Sequence, residues 1–200
     1  AAQNALLKSL EEPAPYSYII MPTKRPKALR QTIYSRCRQI NINNLSVIET
    51  NQWLEKVGVT DYNAMDFPSF ATPFNILEDI QNDNHNSYKE FILLMNDFMF
   101  SKIDQPQAIK LFTDIDISFI GKINFLVEFL KIILTAKLID NQLSGAYKNF
   151  NIAKFSNLKI SNIIDDLNKL RFDFFNVSSI NETHVLNYFF SELKVSIRQS

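Results

Sequence analysis

The pattern of apolar and polar positions changes once along this 200-residue chain. In AAQNALLKSLEE (1–12), apolar residues recur near helical spacing, which predicts a helix that Pro13 ends. YSYIIM (16–21) is β-branched and aromatic, and CRQINI (37–42) alternates apolar and polar residues, so both predict short strands. A strand-bearing piece of this size cannot build a doubly wound sheet by itself, so we expect further α/β chain on its N-terminal side.

From Ser46 onward the helical period dominates, with polar turns between apolar stretches. Trp53 lies in the first of these helices and is expected to pack in the core of the first helical region. Two apolar stripes near the C-terminus are typical of the core faces of a helical bundle. They consist of Ile163, Ile164, Leu167, Leu170 and Phe174, and of Leu186, Phe189, Phe190, Leu193 and Ile197. We therefore expect a mostly α protein, in which the end of an α/β core precedes two helical regions.

Composition narrows the class of protein. A hydrophobic content of 46% with 17 Phe residues excludes a disordered chain. The single cysteine, Cys37, excludes an internal disulfide framework, and the distant His85 and His184 form no cluster with metal-ligand spacing. Three charged residues interrupt the most apolar stretch, 123–139, so it is not expected to cross a bilayer. We expect a cytoplasmic protein.

The net charge is zero, but the charges are unevenly distributed. The segment between Pro13 and Ile48 has six basic residues and no acidic ones, whereas the rest has 15 basic and 21 acidic residues. The six are Lys24, Arg25, Lys27, Arg30, Arg36 and Arg38. Such an excess is typical of a segment that binds an anionic partner or of an ordinary solvated basic face, and charge alone favours the second.

Three motifs follow one another at the start of the chain. They are AAQNALLKSLEEP (1–13), IIMPTKRP (19–26) and Ser35-Arg36-Cys37, which reads SRC. Their order and spacing resemble the segment after the Walker B strand in clamp-loader modules of the AAA+ class, where an LLKxLEEP helix precedes the sensor 1 loop and the SRC motif. The chain is thus similar to the C-terminal portion of a bacterial DNA polymerase III clamp-loader subunit.

The resemblance implies that Arg36 is an arginine finger, which completes the ATP site of an adjacent subunit in trans. Such a guanidinium stabilises the charge that develops on the transferring phosphoryl group and accelerates hydrolysis by about 10³–10⁵-fold. Arginine suits this task because its planar fork stays charged and binds oxygens in pairs. From the residues alone, an ion pair or a helix-end contact is the more frequent role for such an arginine. Ser35 and Cys37 are expected to shape the turn and pack beneath it.

Thr23 falls at the position of the sensor 1 loop, whose polar side chain senses nucleotide in related subunits. Here Lys24 and Arg25 follow it, where related chains often carry Thr and an acidic residue. This departure weakens the prediction that Thr23 senses ATP. Lys24, Arg25, Lys27 and Arg30 are instead expected to meet DNA phosphates or an acidic neighbour.

Two features resemble the delta-prime type within this family. The second sensor arginine of clamp-loader ATPases has its counterpart in Phe74 of Ala71-Thr72-Pro73-Phe74, and an aromatic ring carries no charge to offer a phosphate. The stretch RFDFFNVSSINETHVLNYFFSEL (171–193) resembles the delta-prime collar ending. The alternative is a gamma/tau-type ATPase fragment that binds and hydrolyses ATP itself, which an intact Walker A loop upstream would favour.

The resemblance implies three parts: residues 1–43 finish the AAA+ core, 44–100 form a helical lid, and 101–200 form a helical collar for oligomerisation. The family's Walker A loop and zinc-binding cysteines would precede Ala1, so this segment is expected to bind no cofactor or metal, with ATP-Mg in the neighbouring subunit. The implied function is a non-catalytic subunit that helps load the sliding clamp onto primed DNA, with gamma/tau-type and delta subunits as partners. A helical interaction module that merely retains an AAA+ remnant is a third interpretation.

Overall fold

The computed structural model describes residues 2–23, 28–43, 45–82, 86–139, 142–174 and 181–197. The chain divides into two compact units, Ala1–Asn43 and Asn44–Ser200. Most of the described residues are helical, which confirms the predicted mostly α class. The assignment of a core, a lid and a collar to parts of the chain remains a prediction.

The first unit contains the helices α1, Ala2–Glu11, and α2, Gln31–Tyr34. α1 consists largely of good helix formers and ends just before Pro13, which confirms the predicted first helix. α1 contacts α2, whose Ile33 is buried. This buried side chain anchors the short helix that precedes the SRC motif.

The two predicted strands in the first unit are not formed. Residues 16–21 and 37–42 have irregular backbone, and within the described ranges the β pairing is an isolated bridge between Phe155 and Ile197. A strand exists only when its backbone groups pair with a neighbour, and neither segment has such a ladder here. Their apolar side chains are exposed, including Tyr16, Tyr18, Ile20, Ile40 and Ile42. Local composition predicted strands, but none of the residues that the structure describes pairs with either segment.

The second unit is built from seven described α-helices and three short 3₁₀ helices. The α-helices are α3 Val47–Lys56, α4 Pro73–Gln81, α5 Ser87–Met99, α6 Gln105–Asp114, α7 Phe119–Leu138, α8 Asn157–Asp173 and α9 Glu182–Ser196. The 3₁₀ helices are Ala64–Asp66, Gly145–Tyr147 and Ile152–Lys154. Ser46, Thr72 and Asp104 begin α3, α4 and α6 with reciprocal capping boxes, which satisfy the free N–H groups of the first turn.

Two apolar clusters stabilise the second unit. The smaller one joins Leu54, Phe67 and Ile76, with Trp53 packed against it, as expected for a core tryptophan. The larger one is formed by α5 to α9. α5 falls within residues 44–100, the predicted lid, yet it packs in the same cluster as the later helices. The two C-terminal stripes lie on the faces of α8 and α9 that are buried in or packed against this larger cluster, which confirms them as core faces. In the described part of the chain, no helix is both long and apolar enough to cross a membrane.

A buried carboxylate, Asp66, ties two of the 3₁₀ helices together. Its Oδ1 accepts a hydrogen bond from the backbone N–H of Ala146 at 2.7 Å. Its Oδ2 accepts one from the backbone N–H of Asn63 and lies 3.2 Å from Nζ of Lys89. Gly145 has φ +56°, and a Cβ at this position would lie 2.5 Å from Asp66 Oδ1. Glycine is therefore needed both for the left-handed backbone and for the close approach.

The larger core also holds a pair of tyrosine hydroxyls. The hydroxyl oxygens of Tyr88 and Tyr147 lie 2.6 Å apart and share a hydrogen bond. Burial raises the pKa of both hydroxyls well above the usual value, because a phenolate would lose its hydration here. Both groups stay neutral at physiological pH, so this contact does not respond to pH there.

Replacing Gly145 by Ala is expected to lower the free energy of unfolding by about 2–5 kcal/mol, since backbone strain adds to the disruption of Asp66. The matched control is Gly58→Ala, because Gly58 has φ +87° but a Cβ there meets open space. This control should cost only about 1–2 kcal/mol. Denaturant unfolding measures both losses, and equal losses would contradict a close approach at Asp66.

Candidate functional site

The SRC motif lies at the C-terminal end of α2. The backbone N–H of Ser35 donates to the carbonyl of Gln31 at 2.9 Å, and that of Arg36 donates to the carbonyl of Ile33 at 3.1 Å. The chain therefore continues to turn for two residues beyond Tyr34. Ile33 is only 1% exposed, so α2 is anchored by a buried side chain, and Arg36 follows at the end of this anchored helix.

Among the described residues of the first unit, the Arg36 side chain contacts Thr32 and Glu11. Its Nη1 donates to the carbonyl oxygen of Thr32 at 2.8 Å, and its Nη2 lies 2.5 Å from Oε1 of Glu11. These are a helix-end contact and an ion pair, the two roles that the residues alone indicate for such an arginine. The Arg36 side chain is still 36% exposed and that of Glu11 is 49% exposed. An ion pair this exposed contributes about 0–1 kcal/mol, so another anion can displace it at small cost.

The residues that flank Arg36 have different surroundings. The Ser35 hydroxyl donates to the same Thr32 carbonyl at 3.3 Å, so Ser35 and Arg36 share one acceptor at the helix end. Cys37 is a free cysteine and is half-buried. Ser35 thus contributes to the local turn, and its role in supporting the motif stays a prediction.

The other predicted binding residues are only partly described. Thr23 is exposed, and Arg30 is exposed with its carbonyl accepting the first hydrogen bonds of α2. Lys24, Arg25 and Lys27 lie outside the described residues, so the prediction that they meet an anionic partner stays a prediction. His85 also lies outside the described residues, and His184 is exposed on α9.

Phe74 lies in the first turn of α4 and is 73% exposed. Its ring meets that of Trp53 edge to face, with 5.2 Å between centroids. The helix begins here because Thr72 caps it and Pro73 occupies the first turn. An exposed ring offers apolar surface at this position and no positive charge for a phosphate.

Comparison with known proteins shows which proteins this chain resembles. The family model "DNA polymerase III, delta subunit" matches residues 1–46, the segment that contains α1, α2 and the SRC motif. Over 192 residues, the chain is 27% identical to the DNA polymerase III subunit delta' of Haemophilus influenzae, covering 90% of this chain. The resemblance to delta-prime clamp-loader subunits is confirmed. The chain spans 57% of the length of this delta-prime relative.

The delta-prime relationship involves nearly the whole chain, whereas the family model covers only its first part.

One residue of the site was not predicted from the sequence. Glu11 belongs to the LLKSLEEP motif, but nothing in the sequence indicates that Glu11 rather than Glu12 pairs with a residue 25 positions away. The approach of α1 to α2 decides that pairing.

Replacing Arg36 by Ala is expected to lower the free energy of unfolding by no more than about 1 kcal/mol, because its ion pair is exposed to solvent. As a comparison on the same turn, Ile33→Ala should cost about 2–5 kcal/mol, since it empties a buried position. Denaturant unfolding of the full-length protein measures both. A loss at Arg36 as large as the loss at Ile33 would show that Arg36 is mainly a structural residue.

Proposed function

We propose that this chain is part of a delta-prime-type subunit of a DNA polymerase III clamp loader, and that Arg36 acts as an arginine finger on ATP bound by a neighbouring subunit. The observation that carries the proposal is a partly exposed guanidinium, 36% accessible, at the anchored end of α2. The match of residues 1–46 to a DNA polymerase III family supports it, as does the delta-prime relative.

The proposed mechanism follows from charge and geometry. ATP-Mg is held by the neighbouring subunit, and this chain supplies only the guanidinium. Arg36 exchanges its ion pair with Glu11 for oxygens of the transferring phosphoryl group, and its hydrogen bond to the Thr32 carbonyl keeps the guanidinium aligned. There it stabilises the negative charge that spreads over these oxygens in the transition state. Because the site is completed across a subunit boundary, hydrolysis depends on assembly.

The proposed role of this chain is regulatory rather than catalytic. The exposed Phe74 offers no cation where the second sensor arginine of a clamp-loader ATPase would stand, which favours the delta-prime type over a gamma/tau-type ATPase. The proposed partners are gamma/tau-type and delta subunits, which the collar helices would contact. Primed DNA and the sliding clamp would be reached through the complex, and the proposed location is the cytoplasm. Thr23, Lys24, Arg25, Lys27 and Arg30 are proposed as secondary contacts to phosphates, DNA or an acidic neighbour.

Arg36→Ala in the full-length subunit of the reconstituted complex is expected to slow hydrolysis at the ATP site that Arg36 completes by about 10³-fold or more. Arg36→Lys should recover little of this loss, because an ammonium cannot reproduce the planar fork. Single-turnover ATP hydrolysis in the presence of primed DNA measures the step directly. Chromatography of the same complexes should show unchanged assembly.

The matched control is Arg38→Ala, which removes the same charge two residues along the chain. It should leave the single-turnover rate within about twofold, because a surface charge at this distance acts only through screened Coulomb interaction. Undiminished hydrolysis with Arg36→Ala would refute the finger. ATP binding and hydrolysis by the isolated full-length subunit would instead indicate the gamma/tau-type ATPase.

A further inference from the structure

Both terminal nitrogens of the Arg36 guanidinium already have acceptors within the first unit. Nη2 lies 2.5 Å from Oε1 of Glu11, the last residue of α1. Nη1 donates to the carbonyl of Thr32 at 2.8 Å. A phosphoryl group that binds the N–H groups facing Glu11 and Thr32 would therefore replace or share these two acceptors.

The two acceptors differ in charge, and only Glu11 competes electrostatically with a phosphate. The Thr32 carbonyl is neutral and keeps the guanidinium aligned with the end of α2. The Glu11 carboxylate is an anion, and a phosphate oxygen bound to Nη2 would lie within about 5 Å of it. At that distance the two anions repel, and the carboxylate also offsets the positive charge that Arg36 would deliver.

Resting on the function proposed above, we propose that Glu11 is a positioning residue that restrains Arg36 until a nucleotide in the neighbouring subunit displaces it. The restraint is mild because the two side chains are 49% and 36% exposed. Exposed ion pairs of this kind shift an equilibrium by about 1.4- to 5-fold. Glu11 therefore attenuates hydrolysis by that factor and does not abolish it.

The structure also supplies a matched control for this restraint. Glu12 follows Glu11 directly and is exposed, but the ion pair of Arg36 is made with Glu11. The backbone N–H of Glu12 donates to the carbonyl of Lys8 at 3.0 Å, so both carboxylates lie at the same helix end. Glu12→Gln removes the same charge from the same place without removing the partner of Arg36.

The test is single-turnover ATP hydrolysis by the reconstituted complex, with rates expressed per assembled complex. Glu11→Gln is expected to raise the rate by about 1.4- to 5-fold at low ionic strength. The gain should shrink as salt increases, because exposed charges are screened over about 10 Å at 0.1 M. Glu11→Ala should act in the same direction, Glu11→Asp should retain most of the restraint, and Glu12→Gln should leave the rate unchanged.

The same substitution in an Arg36→Ala background separates this inference from the proposed function. There Glu11→Gln should have no effect, because the guanidinium that it releases is absent. If Arg36→Ala alone leaves hydrolysis intact, both the finger and the restraint fail. If Arg36→Ala slows hydrolysis but Glu11→Gln leaves the rate unchanged or lower, or acts equally without Arg36, the restraint is overturned while the finger stands.

Discussion

Half of the 20 residues of α7 are buried, and seven of these belong to the larger core. The elements around it must therefore present apolar surface, and those it contacts include α5, α8 and the 3₁₀ helix Ile152–Lys154. In this core Phe91 meets Phe112 at a tilt and Phe129 edge to face, and Phe129 stacks on Tyr147. Burial of this one helix is the constraint to which the second unit conforms.

Three charged residues of α7 that are buried or half-buried, Lys122, Glu128 and Lys137, each have a backbone partner. Glu128 accepts a hydrogen bond from the N–H of Ser69 at 3.0 Å, and Lys122 donates to the carbonyl of Thr113 at 2.8 Å. Lys137 donates to the carbonyls of Ala153 and Phe155. A buried charge without such a partner costs several kcal/mol. These side chains therefore anchor neighbouring connections to α7.

Arg36 differs from these residues of α7 because its charge is not buried. Its guanidinium also contacts a backbone carbonyl and a carboxylate, but it stays partly in water. In water, the ion pair with Glu11 is weak, so it can exchange for another anion without disturbing the fold. The buried charges of Lys122 and Glu128 therefore serve the packing of the second unit, whereas the charge of Arg36 remains accessible. This difference in exposure is the physical basis for proposing a function for Arg36 rather than for Lys122.

The sequence by itself determined the helical character of the chain and the end of α1 before Pro13. It also determined the core stripes of α8 and α9 and the position of the SRC motif. These features follow from periodicity, proline and motif spacing, which are local properties of the sequence. Only the tertiary structure decided that residues 16–21 and 37–42 do not form strands, since a strand depends on a distant pairing partner. It also decided that α5 joins the larger core and that Glu11 pairs with Arg36. These outcomes depend on how helices approach one another in space, which residue order alone does not specify.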